Sequence, residues 1–274
     1  MNDLTTFNSS FSHGNASNRP TRGFTLLEIS IVLIIIGIIL GGVMYGRTLL
    51  IASRLQTIIT DEDSYATAVS NFKQQYQVLP GDMPNAISLW GTDSSGCPSG
   101  GGSTGTCSGN GDGMIGTSGV EYESFRFWQH LNLAGMSSQK MSGVASSGGV
   151  YAATPGTNVP TGSLKGSGFS AVWEGTAGAG DANFFPGFYG NILIFGGNTN
   201  TFLTSSPILT ADQASGIDAK IDDGAPGTGK IRTFLSGSSY TSICATTNAP
   251  STAAYNLTAT TSGYICSLIF VPGF

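Results

Sequence analysis

Arg22-Gly23-Phe24-Thr25-Leu26-Leu27-Glu28 runs directly into an apolar stretch, Ile29 to Gly46, that contains no charged residue. A bilayer core takes about 20 apolar residues in helical form, and Phe24 to Met44 supplies that length. Glu28 is the one carboxylate at the head of the run. A carboxylate near mid-bilayer costs roughly 2.5–3.5 kcal/mol on insertion scales, so one retained here points to a partner. The residues before the run are polar, with Arg19 and Arg22 beside it. A basic flank of this kind stays in the cytoplasm while the remainder crosses. Arg47 and Arg54 on the far side oppose that signal. An ordinary secretory signal has an apolar region of about 7–15 residues and then a small-residue cleavage site. Gly41-Gly42 imitates such a site, but the stretch is longer than that pattern.

The helix is expected to continue past the apolar run, because no Pro occurs between Phe24 and Leu79. From Ile51 the apolar residues fall at Leu55, Ile58, Tyr65, Val69, Phe72 and Tyr76, in steps of four and three, with Glu62 in the one missing place. Such spacing is one face of a helix, and Asp61, Asp63, Lys73 and Gln74 lie off it. Pro80-Gly81 is the expected stop. At 1.5 Å per residue, Phe24 to Gln77 makes a helix of about 80 Å.

Gly23-Phe24-Thr25-Leu26-Leu27-Glu28 resembles the processing site of type IV pilins and type II secretion pseudopilins. In that family a prepilin peptidase cuts after the Gly and methylates the new N-terminus, and the fifth mature residue is Glu. The resemblance therefore implies cleavage after Gly23, methylation of Phe24, and Glu28 pairing with the free amine of Phe24 in an adjacent subunit. It is specific from Gly23 to about Gly46, plausible to Asp82, and loose beyond. It implies a leader at 1–23, a membrane or filament-core helix at 24–46, an amphipathic continuation at 47–79 and a head at 80–274. The implied fold class is α+β, a long N-terminal helix packed on a small antiparallel sheet with long Gly/Ser-rich loops. The implied partners are the prepilin peptidase, the inner membrane, and further pilin or pseudopilin subunits in a helical polymer. The implied location is the bacterial inner membrane, in a single pass with the N-terminus cytoplasmic and the head outside, and then a pilus or pseudopilus. The chain departs from the family in having Tyr45 where many pilins carry a Pro, and in its long leader.

Composition agrees with an exported, weakly charged head. Only 10% of residues are charged, and the 40 Gly lie mostly after residue 80. Asp3, Arg19 and Arg22 give residues 1–23 a net +1, so the formal −5 of the whole chain leaves −6 on the remainder. No Lys/Arg cluster is present, and a binder of phosphate backbones needs several such contacts, so nucleic acid is not an expected partner. Pro80 to Trp90 reads as a turn and short helix, and 91–120 as a Gly/Ser/Thr loop. Helices are expected at Glu121–Met136 and Ala211–Ile221, and strands at Gly187–Phe195 and Ser262–Val271. Cys97, Cys107, Cys244 and Cys266 allow three pairings. An even count in an exported domain favours two disulfides, and sequential pairing is the simplest. The absence of any CxxC pair argues against zinc.

Several motifs invite a chemical reading. Gly224 to Lys230 nearly matches a phosphate loop, but Ile231 replaces the Ser/Thr and Asp222-Asp223 precedes it. Gly111-x-Gly113-x-x-Gly116 fits a dinucleotide pattern without the strand that should precede it. His130 has no nucleophile motif beside it, so no enzymatic activity is expected. Ser108, Asn110 and Asp112 at the first, third and fifth places, Gly113 at the sixth, Met114 at the seventh and the apolar Ile115 at the eighth copy the first half of a calcium loop, with Ser108, Asn110, Asp112 and Met114 as candidate ligands. Its twelfth place is Gly119, so Glu121 or Glu123 would have to close it. Calcium is thus the one candidate cofactor. Trp90, Trp173 and Tyr189 among Gly/Ser/Thr loops leave a second functional class open, a membrane-anchored adhesin-like or minor tip subunit that binds a surface ligand.

Overall fold

The computed structural model describes residues 23–97, 104–116, 123–144, 152–235, 244–258 and 263–274. Two compact units divide between Leu49 and Leu50. Helix α1 (Leu26–Tyr76) runs through that division, and among the described residues it alone is long and apolar enough to cross a membrane. Gly37, Gly41, Gly42, Tyr45 and Gly46 are all helical. In the first unit every large apolar side chain from Phe24 to Met44 is exposed. A continuous apolar surface of that extent is what lipid or packed neighbours cover.

In the second unit the expected stripe is buried from Ile58 onward: Ile58, Glu62, Tyr65, Val69 and Phe72, with Ile59 and Ala68. Leu55 and Tyr76 are half-buried against the same core. Ile51, expected on that face, is instead 44% exposed. Further along, the Arg54 carbonyl accepts the Ser163 hydroxyl at 2.8 Å. The helix also ends earlier than expected, at Tyr76. Gln77 adopts φ 61° while its N–H donates to Lys73 O at 2.9 Å, the left-handed terminator usually left to Gly. Pro80 then bars Leu79 from helical backbone.

Beyond it lie α2 (Ala86–Trp90), α3 (Glu123–Leu133), β1 (Ser167–Ala177), β2 (Gly187–Gly197), α4 (Ala211–Ile221), β3 (Ile231–Thr233) and β4 (Leu268–Phe270). The strands form one antiparallel sheet in the order β1-β2-β4-β3, so the fold class is α+β. Alternation sorts the side chains. Phe169, Ala171, Leu193, Phe195, Leu268 and Phe270 join α1, α3 and α4 in the main core. Val172, Ile192, Ile194 and Ile269 meet Phe184, Tyr189 and Phe234 on the other face. Tyr65 links the layers, with ring centroids 4.9 Å from Trp128 and 5.2 Å from Phe169.

Strands β1 and β3 were not expected from sequence, and β4 fills only three residues of Ser262–Val271, of which Ser262 lies outside the described residues. α3 stops at Leu133, short of Met136, because Gly135 turns the chain at φ 72° and the Met136 N–H folds back to Leu131 O. The cysteines pair sequentially, as Cys97–Cys107 and Cys244–Cys266. Loops of this size give about 3 kcal/mol per bridge in the chain-entropy account.

Glu62 shows what its place on the stripe costs. Burial pushes its carboxyl from about 4.5 up to about 7, the Asp63 charge adding and Lys230 opposing. The folded chain therefore holds this proton more tightly than the unfolded one. Its stabilising contribution is complete below the ordinary glutamate range and is lost as pH rises towards 7. Glu123 and Glu174, also raised to about 7 by burial, act in the same direction. Thermal melts should fall by several degrees between mildly acidic and mildly alkaline pH. Glu62→Gln should melt above wild type at the alkaline end, and identical alkaline melts would contradict this.

Candidate functional site

Two groups of residues carry the chemistry, one in each unit. In the first, Thr25 precedes α1 and Glu28 lies in its first turn. Glu28 Oε2 accepts the Thr25 N–H at 2.8 Å and the Thr25 hydroxyl at 2.9 Å, while the Glu28 N–H donates to Thr25 Oγ1 at 3.2 Å. This is a reciprocal capping box, and it places the carboxylate at the positive end of the helix. Thr25 was overlooked as a partner of Glu28, although the T-x-x-E spacing before an apolar run signals it. Phe24 is 82% exposed, and a Cβ added at Gly23 meets nothing within 4 Å. Among the described residues, none crowds the Gly23-Phe24 bond.

In the second unit a loop closes around carboxylates. Gly81, at φ 85°, sits where a Cβ would come 2.5 Å from Glu123 O, so no other residue fits there. Its N–H donates to His130 Nδ1 at 2.9 Å. The next residue, Asp82, accepts the N–H groups of Gly111, Asp112 and Gly113 at 2.6, 3.0 and 2.9 Å. Glu123, at the start of α3, accepts those of Asn110 and Gly116 at 3.0 and 2.8 Å. Asp112 accepts the Met114 N–H and the Asn110 amide at 2.8 and 2.9 Å.

The expected calcium ligands are only partly brought together. Ser108 turns away, its Oγ accepting the Ile87 N–H at 3.4 Å, and Glu121 lies outside the described residues. Asp82, Asp112 and Glu123 instead place carboxylate oxygens within 4.8 Å of one another. Burial, together with the neighbouring charges, raises both Asp82 and Glu123. Three carboxylates at this spacing, each with lone pairs beyond its N–H bonds, suit the oxygen preference of a hard dication. Asp82 was missed because it reaches the loop across some thirty residues of chain.

The remaining motifs serve the fold. His130 is fully buried and pushed down to about 3, hence neutral; its Nε2 lies 3.0 Å from Thr106 Oγ1 and 3.1 Å from Cys107 O. With Nδ1 accepting from Gly81, the ring proton sits on Nε2. In the phosphate-loop lookalike the Lys230 and Ile231 N–H groups donate to Asp222, and Thr228 Oγ1 donates to Asp223 at 2.6 Å. Carboxylates occupy the position a phosphate needs. The Gly111-x-Gly113-x-x-Gly116 amides are engaged by Asp82 and Glu123 in the same way. Tyr189 is buried, its hydroxyl donating to Phe185 O at 3.0 Å. Trp90 packs among Phe72, Tyr76 and His130. The Tyr189 ring is closed to a surface ligand, whereas Trp90 and Trp173 are both half-buried, Trp173 beside the exposed Phe188.

Residues 18–44 match the family model of the prokaryotic N-terminal methylation motif. The chain carries the type IV pilin and pseudopilin signature. The matched residues include the Gly23-Phe24 junction, the Thr25–Glu28 capping box and the exposed apolar part of α1, and none of the head. No curated protein and no solved structure matches the chain. The signature, the apolar helix and the two disulfides together support a pilin-like or pseudopilin precursor that is membrane-anchored.

Proposed function

We propose that the protein is a structural subunit of a type IV pilus or type II secretion pseudopilus, held in the inner membrane by residues 24–46 until assembly. The observation that carries this reading is the methylation motif lying on the exposed apolar part of α1. A prepilin peptidase cuts after Gly23 and methylates Phe24. Extraction from the membrane then exchanges lipid contacts of α1 for neighbouring helices. Glu28 Oε2 takes both Thr25 bonds, so Oε1 is left for the amine of Phe24 in the adjacent subunit. A paired charge is tolerable in an apolar surrounding and an unpaired one is not, so this pairing sets the axial register of subunits. Two disulfides agree with a head in an oxidising compartment. Gold labelling of the head under electron microscopy should follow filaments along their length. Label confined to the cell membrane would contradict a structural subunit.

We further propose that Asp82, Asp112 and Glu123 take up calcium. The cation would relieve the mutual repulsion of these carboxylates. Calcium should raise the melting temperature of the wild type relative to chelator and leave Asp112→Ala unmoved. Identical melts in all four conditions would exclude the site.

A further inference from the structure

We propose that the cleft between α1 and the 161–167 segment binds the headgroup of an anionic phospholipid where α1 leaves the bilayer. The cleft measures about 450 Å³, and Arg54 and Lys165 line it without any acidic residue. The surroundings are unusual for this chain, whose exported part is net negative: between Ile29 and Thr60 there is no carboxylate at all. The Ser163 hydroxyl donates to Arg54 O at 2.8 Å, which fixes the segment carrying Lys165 against the helix. Both cationic side chains are exposed.

The occupant follows from position along the helix. Exposed apolar side chains run on to Ile51 and give way to half-buried Leu55 and buried Ile58. Arg54 stands eight residues past Gly46, about 12 Å at the helical rise, just beyond a headgroup layer of roughly 5–8 Å. Side chains on a helix lean towards its N-terminus, so the Arg54 guanidinium reaches back to the lipid surface. A guanidinium fork matches two phosphate oxygens, and the Lys165 ammonium adds a point charge. A phosphodiester headgroup at the outer leaflet supplies the complementary chemistry. The inference rests on the reading that residues 24–46 span the bilayer.

The test uses the full-length protein in nanodiscs of equal phosphatidylglycerol and phosphatidylcholine, with retained lipids counted by native mass spectrometry. Phosphatidylglycerol should be enriched. Arg54→Gln/Lys165→Gln should lose about fivefold of that enrichment per cation, while Lys73→Gln, which alters an exposed cation in the last turn of α1, should keep it. Both variants alter exposed side chains, and unchanged melting would verify their fold. Equal enrichment in the double variant, an equal loss in Lys73→Gln, or displacement of the lipid by inorganic phosphate would each overturn the site. Protein that enters nanodiscs without lipid preference defeats the headgroup site alone. Protein that stays out of them defeats the membrane reading as well.

Discussion

A chain carrying Glu28→Leu is expected to enter the membrane, lose its leader and fail to join a filament. Leu favours insertion where a carboxylate opposes it, so membrane targeting should be at least as good as in wild type. What disappears is the acceptor for the Phe24 amine of the neighbouring subunit. Each amine then enters an apolar helix bundle uncompensated, and breaking one partner of a buried pair costs about 3–5 kcal/mol. Repeated at every subunit, that penalty should reduce sheared filament yield to background. The same substitution also removes half of the capping box, in which Thr25 Oγ1 and Glu28 Oε2 lie 2.9 Å apart. Thr25→Ala separates the two effects, since it removes the cap, at about 1 kcal/mol, and keeps the carboxylate. It should assemble at reduced yield. Wild-type filament yield from Glu28→Leu, or equal failure of Thr25→Ala, would contradict the pairing role.

Asp93→Ala should be the most damaging single change in the head. Asp93 Oδ2 lies 3.0 Å from Arg126 Nη1, with both side chains wholly buried. Burial pulls the Arg126 guanidinium down, and the Asp93 hydrogen bond and charge hold it up. Gln129 Oε1 at 2.8 Å and Cys107 Sγ at 3.0 Å are neutral neighbours that do not replace the lost charge. The expected loss is about 3–5 kcal/mol from a total of roughly 5–15 kcal/mol, or about 10 °C of melting temperature for a unit of this size. Arg126→Met in the same chain removes the other half of the pair and should recover most of the loss, because replacing a whole buried pair by apolar side chains is often neutral. A single variant that melts within a degree or two of wild type would show that the pair is not what holds the 91–107 segment to α3.

What the sequence made legible was what local periodicity encodes. The four-and-three stripe over α1 and the gap at Glu62 both reappear as burial. α4 has the expected bounds, where Thr210 and Gln213 form a capping box. β1 was invisible for a physical reason. Ser167-Gly-Phe-Ser-Ala-Val-Trp-Glu-Gly-Thr-Ala is small and polar, with no clean alternation, because most of its length is buried on both faces of the sheet. β3 has three residues and exists only through pairing with β4. The carboxylate cluster was half legible: Asp112 and Asn110 stood in a recognisable loop, and Glu123 was a weighed substitute. Asp82 joins them through the turn at Gly81, a contact of tertiary origin that spacing along the chain does not report.

The most direct test is intact and N-terminal peptide mass spectrometry of the protein purified from membranes of cells containing a prepilin peptidase. The prediction is a chain that begins at Phe24 and carries one added methyl on its amine. Gly23→Trp should yield only the unprocessed chain, and because no described residue crowds Gly23, that failure would report on the peptidase and not on the fold. A wild-type chain that retains residues 1–23, or begins at any residue other than Phe24, would contradict the account.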